Sequence, residues 1–471
     1  MAQGWIVSAA MGHINLVSGE PANASASSTP LLRGRLSVMM LLQYAIWGAW
    51  LPLLWPYLKN HLHFEDAQIG NLFAVGALGA IVAPWIAGQI ADRWFNTERY
   101  LAISHLIGGV LVWQLATITT YSGFLWFSLL YSLIYSPTLS LTNSLSFHHL
   151  KDRDRDFGRV RVWGTIGWVL VGIAIGQWLL RVHTPGAEAL QGLAVADADA
   201  KVAAAHAAGM ADAFRLSGLL GIAMGIFCLF GLPATPPSKG TRASAVAEAI
   251  GEIRRAPLVT LFMLAVPVSC IHQFYFVHTS SFLGAVQRQS GGEGLANFFN
   301  SIFGVGGGGL MTIGQICEIA VLAFMPVFAV RFSRKTLLAA GLAAYALRMA
   351  LFAYYASIAS ATGIPEIAVV ATGVALHGFC FGCFIFVAFM IVDEETTGDV
   401  RASAQSLFNL VIVGFGIIVG SKVAAGVAGA STTGGVTDYT ALFSVPMWGA
   451  LFCLLMLLLF YLPGKGGRRA A

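Results

Sequence analysis

The chain has 471 residues, of which 57% are hydrophobic and only 10% are charged, and its formal net charge is +5. Because a soluble domain carries about 25% charged residues, this chain cannot cover a globule of its length with polar side chains. The balance excludes a soluble enzyme and makes lipid the solvent for much of the surface.

Apolar runs of about 20 residues, long enough to cross the roughly 30 Å hydrocarbon core of a bilayer, recur along the chain. Their length and their lack of strict alternation predict helices and not the strands of a barrel. We predict an all-α polytopic membrane protein with twelve transmembrane helices, at about residues 36–57, 68–91, 100–120, 123–147, 158–180, 213–233, 258–284, 306–330, 336–358, 364–392, 403–428 and 440–462.

The segments between these spans divide the chain into parts. The first residues form a leader of small residues without a basic n-region, for which we expect disorder. An Ala-rich insert at 182–212 predicts an amphipathic surface helix on the periplasmic side. The predicted parts are a leader, an N-terminal six-helix half, a central cytoplasmic loop, a C-terminal six-helix half and a cytoplasmic tail, at residues 1–32, 33–233, 234–257, 258–463 and 464–471.

Lys and Arg predict the orientation. Of the 27 in the chain, 20 fall in segments that this arrangement places on the cytoplasmic side. Positive residues favour that side, so both termini are predicted to be cytoplasmic, as an even number of spans requires. The net charge reflects this bias, and no nucleic-acid partner is needed to explain it. We expect a multi-pass protein of the cell inner (plasma) membrane.

Two six-helix halves joined by a cytoplasmic loop are the layout of the major facilitator superfamily, whose substrate sites lie between the halves near the bilayer midplane. The segment Gly88–Trp94 after the second span resembles the superfamily's cytoplasmic loop motif, and Arg331–Lys335 after the eighth span resembles its reduced counterpart. We predict that Asp92 and Arg93 form a charge clamp between helices. The alternative is a plain charged turn.

Polar side chains inside spans are functional candidates, because a charge at the bilayer centre costs about 2.5–3.5 kcal/mol on insertion scales. Glu318 lies near the middle of span eight, and Gln315 precedes it by three residues on the same helix face. The pair predicts hydrogen bonds to a substrate. Since burial favours the neutral form of a carboxyl, Glu318 is also the predicted proton carrier. The alternative is a structural pairing with an Arg of another span.

Span five carries a second polar stripe. Arg161, Thr165 and Trp168 follow one another at spacings of four and three, which places them on one helix face. The stripe predicts a charge that orients the substrate, a hydroxyl partner and a stacking surface. Alternatively, Arg161 is an interfacial residue whose charged end snorkels to the membrane surface.

Aromatic and amide side chains in spans seven and ten are candidates for the same site. Gln273 and Phe276 lie three residues apart in span seven, and His377 and Phe381 lie four apart in span ten. The alternative for the aromatic pairs is ordinary packing between helices. His377 is either a pH-sensing group or a hydrogen-bonded structural histidine.

No motif for enzymatic chemistry accompanies these residues. The sequence contains no phosphate loop, HExxH motif or nucleophile elbow, so nothing supports ATP-driven transport or hydrolysis. Cys380 and Cys383 form a CxxC, but no second Cys/His pair stands at zinc spacing. Packing of small residues within a helix is the favoured interpretation. We expect no catalytic residues, no metal and no cofactor.

Six short segments together point to a specific family. They are Gln43–Leu51, Ile90–Trp94, Tyr135–Asn143, Arg161–Gly167, Gln315–Glu318 and Arg401–Gln405. With them, the sequence resembles the nucleoside:proton symporters of the major facilitator superfamily over most of residues 36–462. The resemblance implies a major facilitator fold, a nucleoside as substrate and a proton as the coupled ion.

The resemblance also implies roles for single residues. The implied polar contacts to the nucleoside are Arg161, Thr165, Gln273, Gln315 and Glu318. Trp168 and Phe381 match aromatic positions of the family's pocket. Ribose hydroxyls need donors and acceptors, and a flat base needs aromatic faces, worth about 1–3 kcal/mol per stacked base in nucleic-acid proteins.

Three positions depart from the family pattern. Gly382 stands where the family has an Asp, which removes a candidate for proton coupling. Phe276 replaces an amide, and His377 replaces an aromatic hydroxyl. We expect uptake of nucleosides by alternating access in a monomer, coupled to protons through Glu318. The alternatives are a facilitator or symporter of another sugar-like solute, and a sensor that binds solute without moving it.

Overall fold

The computed structural model describes residues 29–86, 96–151, 153–236, 250–290, 294–397 and 401–462. Several predicted features lie outside the described residues: most of the leader, the middle of the central loop, the tail, and the proposed clamp of Asp92 and Arg93. Within the described residues the first helix begins at Pro30, so the last residues of the predicted leader, 30–32, are helical. The Thr29 hydroxyl accepts the Leu32 amide at this helix start.

The described chain is almost entirely helical. In the N-terminal half the helices are α1 (Pro30–Trp50), α2 (Leu54–Asn60), α3 (Asp66–Ile86), α4 (Thr97–Leu115), α5 (Tyr121–His149), α6 (Arg153–Val182), α7 (Ala187–Leu190), α8 (Val195–Gly209) and α9 (Ala211–Phe230). In the C-terminal half they are α10 (Leu258–Gln289), α11 (Gly294–Phe303), α12 (Thr312–Arg331), α13 (Arg334–Ala353), α14 (Tyr355–Thr362), α15 (Glu366–Ala375), α16 (His377–Phe379), α17 (Val387–Glu395), α18 (Arg401–Asn409), α19 (Gly416–Ala430) and α20 (Tyr439–Phe460).

Short elements interrupt or connect these helices. A 3₁₀ turn at Leu51–Leu53 joins α1 to α2, and two π-helical segments, Cys380–Phe386 and Leu410–Phe415, lie within the predicted spans ten and eleven. The strands β1 (Thr432–Thr433) and β2 (Val436–Thr437) form a small antiparallel hairpin before α20. Because π-helical turns are rare and often lie at functional sites, the two segments mark places where the spans are not regular helices.

The helices fit a multi-pass membrane protein. Ten helical stretches of the described chain are long and apolar enough to cross a membrane. Each of the twelve predicted spans overlaps helices in the structure, and α3 and α4 occupy the two predicted spans that the ten leave out. The helical content is therefore consistent with twelve spans. The insert at 182–212 forms α7 and α8, whose side chains are mostly exposed.

The two halves are bonded to each other at the end of the bundle where α6 finishes, which we call the far end. The Val305 amide donates to the Gly176 carbonyl at 3.1 Å. The Gln177 amide nitrogen donates to the Asn300 and Ser301 carbonyls at 3.2 and 2.9 Å.

The opposite end of the bundle, where α1 begins, is bonded differently. The ion pairs of Arg33 with Asp156 and of Arg334 with Glu394 each join helices of a single half. In the part of the chain that the structure describes, these bonds between the halves lie at the far end, so the two halves meet there.

Candidate functional site

A cavity lies between the two halves and is lined by both. The N-terminal wall comes mainly from α1, α3, α5 and α6, and the C-terminal wall mainly from α10, α12, His377 and the two π-helical segments. The structure brings eight of the sequence-predicted site residues to this cavity: Arg161, Thr165, Trp168, Gln273, Phe276, Gln315, Glu318 and His377.

Helix α6 supplies the charged and aromatic part of the N-terminal wall. Arg161 is 2% exposed, and its Cζ lies 3.9 Å from the centroid of the Tyr44 ring, a cation–π distance. The structure therefore places Arg161 inside the protein and not at a snorkelling position. Trp168 packs edge-to-face against Trp47, with ring centroids 5.5 Å apart.

A glycine makes room for the Trp168 indole. A Cβ placed at Gly48 would lie 2.8 Å from Trp168 Cδ2, closer than carbon atoms pack. The missing side chain on α1 lets the indole lie flat on the helix backbone. The indole is thus held in one orientation in the wall of the cavity, which suits a stacking surface.

The C-terminal wall supplies amides and a carboxylate. Gln315 and Glu318 lie on one face of α12, as the spacing predicts, and both line the cavity. The Gln315 Oε1 atom is buried and has no hydrogen-bond partner among the described residues. Since buried polar atoms are normally paired, this acceptor is available to a donor that enters the cavity. Gln273 and Phe276 of α10 complete this wall.

Glu318 faces a histidine and not an arginine. Its Oε2 atom lies 3.4 Å from His377 Nε2, and the other ring nitrogen, Nδ1, lies 3.1 Å from Nη1 of Arg348. All three side chains are buried, and Arg348 is 0% exposed. The structure thus replaces the direct Glu–Arg pairing considered from the sequence with an indirect link through His377.

Aromatic rings enclose this link. The Tyr275 ring stacks on His377 with centroids 4.6 Å apart and planes 15° apart, and His272 stacks at 5.4 Å. The Tyr345 hydroxyl lies 2.6 Å from His272 Nδ1. The tight enclosure keeps the His377 ring in a single orientation.

The structure corrects the role that the sequence predicted for Phe381, which was an aromatic wall of the binding site. Its side chain is 0% exposed and does not line the cavity. It lies near the start of the π-helical segment Cys380–Phe386, where the chain is not a regular α-helix. A base in the cavity does not reach this ring. Gly382, the position of the family Asp, also points elsewhere, since a Cβ there would meet Val321 Cγ1 at 2.7 Å.

Some cavity residues were not predicted from the sequence. They include Tyr44, Tyr131, Tyr135 and Ser136. Tyr131 and Tyr135 stack with centroids 5.2 Å apart, and their spacing of four along α5 was a usable signal of a shared face. His278 of α10 does not line the cavity. Its Nε2 donates to the Ala424 carbonyl at 3.0 Å, so it is a hydrogen-bonded structural histidine.

Comparison with known proteins agrees with the fold. A solved structure of the nucleoside transporter NupG matches with a TM-score of 0.74 and 23% identity, covering 91% of this chain and 98% of that one. This likeness shows the fold, which is almost entirely helical in both chains.

Sequence relatives give the family. The chain is 31% identical over 394 residues to the putative nucleoside transporter YegT of Escherichia coli, covering 83% of each chain. It is 27% identical over 427 residues to xanthosine permease of the same organism, covering 89% of this chain and 93% of that one. The family model described as nucleoside H+ symporter matches residues 31–465. The chain therefore belongs to the nucleoside H+ symporter family, a family of transporters and not of enzymes.

Proposed function

We propose that this protein takes up nucleosides across the cell inner membrane by alternating access, coupled to protons. The observation that carries the proposal is the composition of the cavity between the halves. One wall presents the Trp168 indole, and the other presents the unpaired Gln315 oxygen beside the Glu318 carboxylate. An aromatic face opposite buried hydrogen-bond acceptors matches a molecule with a flat base and a hydroxyl-bearing sugar.

The polar groups account for the sugar. Ribose hydroxyls donate to carboxylate and amide oxygens and accept from amide nitrogens. Gln273, Gln315 and Glu318 offer these groups from two adjacent helices, while Thr165 and Arg161 lie on α6. Phe276 adds an apolar surface where the family pattern has an amide. The base is therefore held mainly by stacking, and the ribose by hydrogen bonds.

Glu318 is the proposed proton-binding group. It supplies a carboxylate to the cavity wall, and its side chain is only 4% exposed. A charge at this depth is costly, and a proton removes it. A protonated Glu318 therefore makes closure of the cavity around the substrate easier than a charged one, which couples proton binding to substrate movement.

The proposed orientation places both termini in the cytoplasm and the far end at the periplasmic face. The bonds from Gly176 and Gln177 to the C-terminal half then close the periplasmic side. The cavity is composed of residues from both halves of one chain, 33–233 and 258–463, so a monomer is the proposed transporting unit.

Uptake into liposomes tests the proposal. Purified protein is reconstituted, and labelled uridine is added with an inward proton gradient, without a gradient, and with a protonophore. We expect accumulation above the equilibrium level only with the gradient. Protein-free liposomes and the Glu318→Gln variant are the controls. Equilibration that ignores the gradient would indicate a facilitator, and binding without flux would indicate a solute sensor.

A panel of solutes tests the remaining alternative, a transporter of another sugar-like solute. Uridine, adenosine, xylose and glucose are offered at equal concentration. Uptake of the sugars at the rate of the nucleosides would contradict the proposal and support a transporter of sugar-like solutes.

A further inference from the structure

Arg348 is a fully buried cation that the transport scheme above does not use. It lies on α13, no residue of which lines the substrate cavity. Its Nη1 atom contacts His377, while Nε and Nη2 have no hydrogen-bond partner among the described residues. Its Cζ faces the rings of Tyr275 and Tyr345 at 4.4 and 5.0 Å. A guanidinium stays charged in proteins, so burying it without a carboxylate partner costs free energy.

The contact with Arg348 determines which nitrogen of His377 carries the proton. A guanidinium has five donors and no acceptor, so Arg348 donates and His377 Nδ1 accepts. A neutral imidazole that accepts at Nδ1 must carry its hydrogen on Nε2. That nitrogen lies 3.4 Å from Glu318 Oε2. The hydrogen of His377 therefore lies on the side of the carboxylate.

The same contact disfavours a second proton on His377. A proton on Nδ1 would remove the acceptor that Arg348 uses and place two cations about 3 Å apart in a buried site, where like charges disfavour ionisation. Arg348 forms no ion pair with a carboxylate in the described residues, and Glu318 is reached only across the imidazole. The arrangement is a cation, a neutral ring and a carboxylate in series.

Other titratable groups surround this series. Those near His377 and Glu318, including the charged residue across the cavity, are Tyr275 and His272 of α10, Cys317 of α12, Tyr345 of α13, Cys380 of the π-helical segment and Arg161 of α6. Of these, Arg161 carries a permanent charge, and it lies on the opposite wall of the cavity. Within the C-terminal half, Arg348 is therefore the fixed charge that acts on the His377–Glu318 pair.

We propose that Arg348 is a positioning residue for proton coupling. It holds His377 neutral, with the Nε2 hydrogen directed to Glu318, so that Glu318 alone gains and loses the coupled proton. When Glu318 loses its proton, the carboxylate closes onto this N–H. The present 3.4 Å separation is too long and misaligned for a hydrogen bond, and a shift of about 0.5 Å brings it into the normal range. The inference rests on the proposed function, because it assigns the proton step of that transport.

The pH dependence of uridine uptake in liposomes tests the role of the charge. R348M removes both the cation and the donor, whereas R348K keeps a cation and a donor at this position. Without Arg348, nothing holds the hydrogen of His377 on Nε2, so the Glu318 carboxylate loses the N–H that stabilises it and the pH of half-maximal uptake should rise by about one unit in R348M. R348K should return most of the way to the wild-type midpoint. Nucleoside binding by calorimetry shows that each variant is folded, and R348L, which likewise has neither the cation nor a donor, replaces R348M if that protein is not recovered.

A double-mutant cycle with H377F tests whether Arg348 acts through His377. If the imidazole carries the effect, the R348M substitution should move the midpoint much less in the H377F background than in the wild-type background. An equal shift in both backgrounds would show that Arg348 acts by another route. A purely structural arginine would lower the yield or thermal stability of the variants and leave the midpoint unchanged, which would also overturn the inference.

The tautomer can be observed directly in the wild-type protein. In a sample with ¹⁵N-labelled histidine, the His377 signals are identified by their loss in H377F. We expect a neutral ring protonated at Nε2, and a ring protonated at Nδ1 would overturn the inference without any Arg348 variant. Wild-type liposomes that take up no uridine would instead refute the proposed function. Normal, pH-dependent uptake with an unmoved R348M midpoint would refute only the role of Arg348.

Discussion

The amide of Val305 donates a hydrogen bond to the carbonyl of Gly176 across the boundary between the two halves, at 3.1 Å. The two backbones can meet because Gly176, on one side of the contact, and Gly304, next to Val305 on the other side, have no side chains. A Cβ at Gly176 would lie 2.2 Å from the Phe303 carbonyl oxygen, and Gly304, at φ +72°, lies against Gly176. Closure of the far end therefore depends on direct backbone contact.

The Gly176→Ala substitution should block this closure. The clash is with backbone atoms that cannot rotate away, so the far end should remain open and uptake should fall about tenfold or more while the protein stays folded. Uptake and the accessibility of a cysteine placed at Asn300 measure the effect. The matched control is Gly426→Ala, because a Cβ there meets nothing within 4 Å. Wild-type uptake by Gly176→Ala would show that this contact is not part of the gate.

Nucleosides should compete for transport much better than free bases. A site built to pair with hydroxyls rejects an analogue that lacks them, because its own polar groups are then left unpaired. The unpaired Gln315 oxygen and the adjacent Glu318 are such groups. Inhibition of labelled uridine uptake by uridine, uracil, ribose and 2′,3′-dideoxyuridine measures the preference. Equal inhibition by uracil and uridine would contradict the ribose assignment.

Trp168→Ala should weaken nucleoside binding, whereas Trp168→Phe should have a small effect. Loss of one stacking face costs about 1–3 kcal/mol, or roughly 5- to 150-fold in Kd, and phenylalanine keeps an aromatic face. Calorimetry on purified protein measures the affinity. If Trp168→Ala binds like the wild type, the indole is only a packing residue.

Phe381 provides a matched control for the stacking prediction. The sequence assigned it the same role as Trp168, but its ring is fully buried away from the cavity. Phe381→Leu should therefore lower the free energy of unfolding by about 1 kcal/mol, as a smaller side chain in a packed core does, and leave the nucleoside affinity within about twofold of the wild type. A loss of affinity equal to that of Trp168→Ala would restore Phe381 to the binding site.

Glu318→Gln should separate binding from coupling. The amide imitates the protonated carboxyl, so the variant should still bind nucleoside but should lose gradient-driven accumulation and the pH dependence of uptake. Accumulation of uridine in liposomes measures the coupling. Exchange of uridine at equal concentrations on both sides of the membrane shows that the variant still binds it. Glu188→Gln, on the exposed helix α7, is the control and should accumulate like the wild type. If Glu318→Gln accumulates uridine normally, the coupled proton is carried by another group.

Much of this protein follows from its sequence, because lipid restricts what the chain can do. A segment that crosses hydrocarbon must satisfy its own backbone hydrogen bonds, so long apolar runs become helices wherever they occur. The same regularity placed Gln315 with Glu318 on one face of α12, and Arg161 with Thr165 and Trp168 on one face of α6. All five of these side chains line one cavity, which agrees with that spacing.

Tertiary structure decided which groups face each other. Arg348, His377 and Glu318 belong to three different segments, and no local spacing relates them. Phe381 shows where local reasoning fails. A spacing of four places it with His377 only on a regular α-helix, but the π-helical segment Cys380–Phe386 bonds each residue to the fifth along and widens the turn. Phe381 lies in that widened turn, so a spacing counted on a regular α-helix does not predict where its ring points.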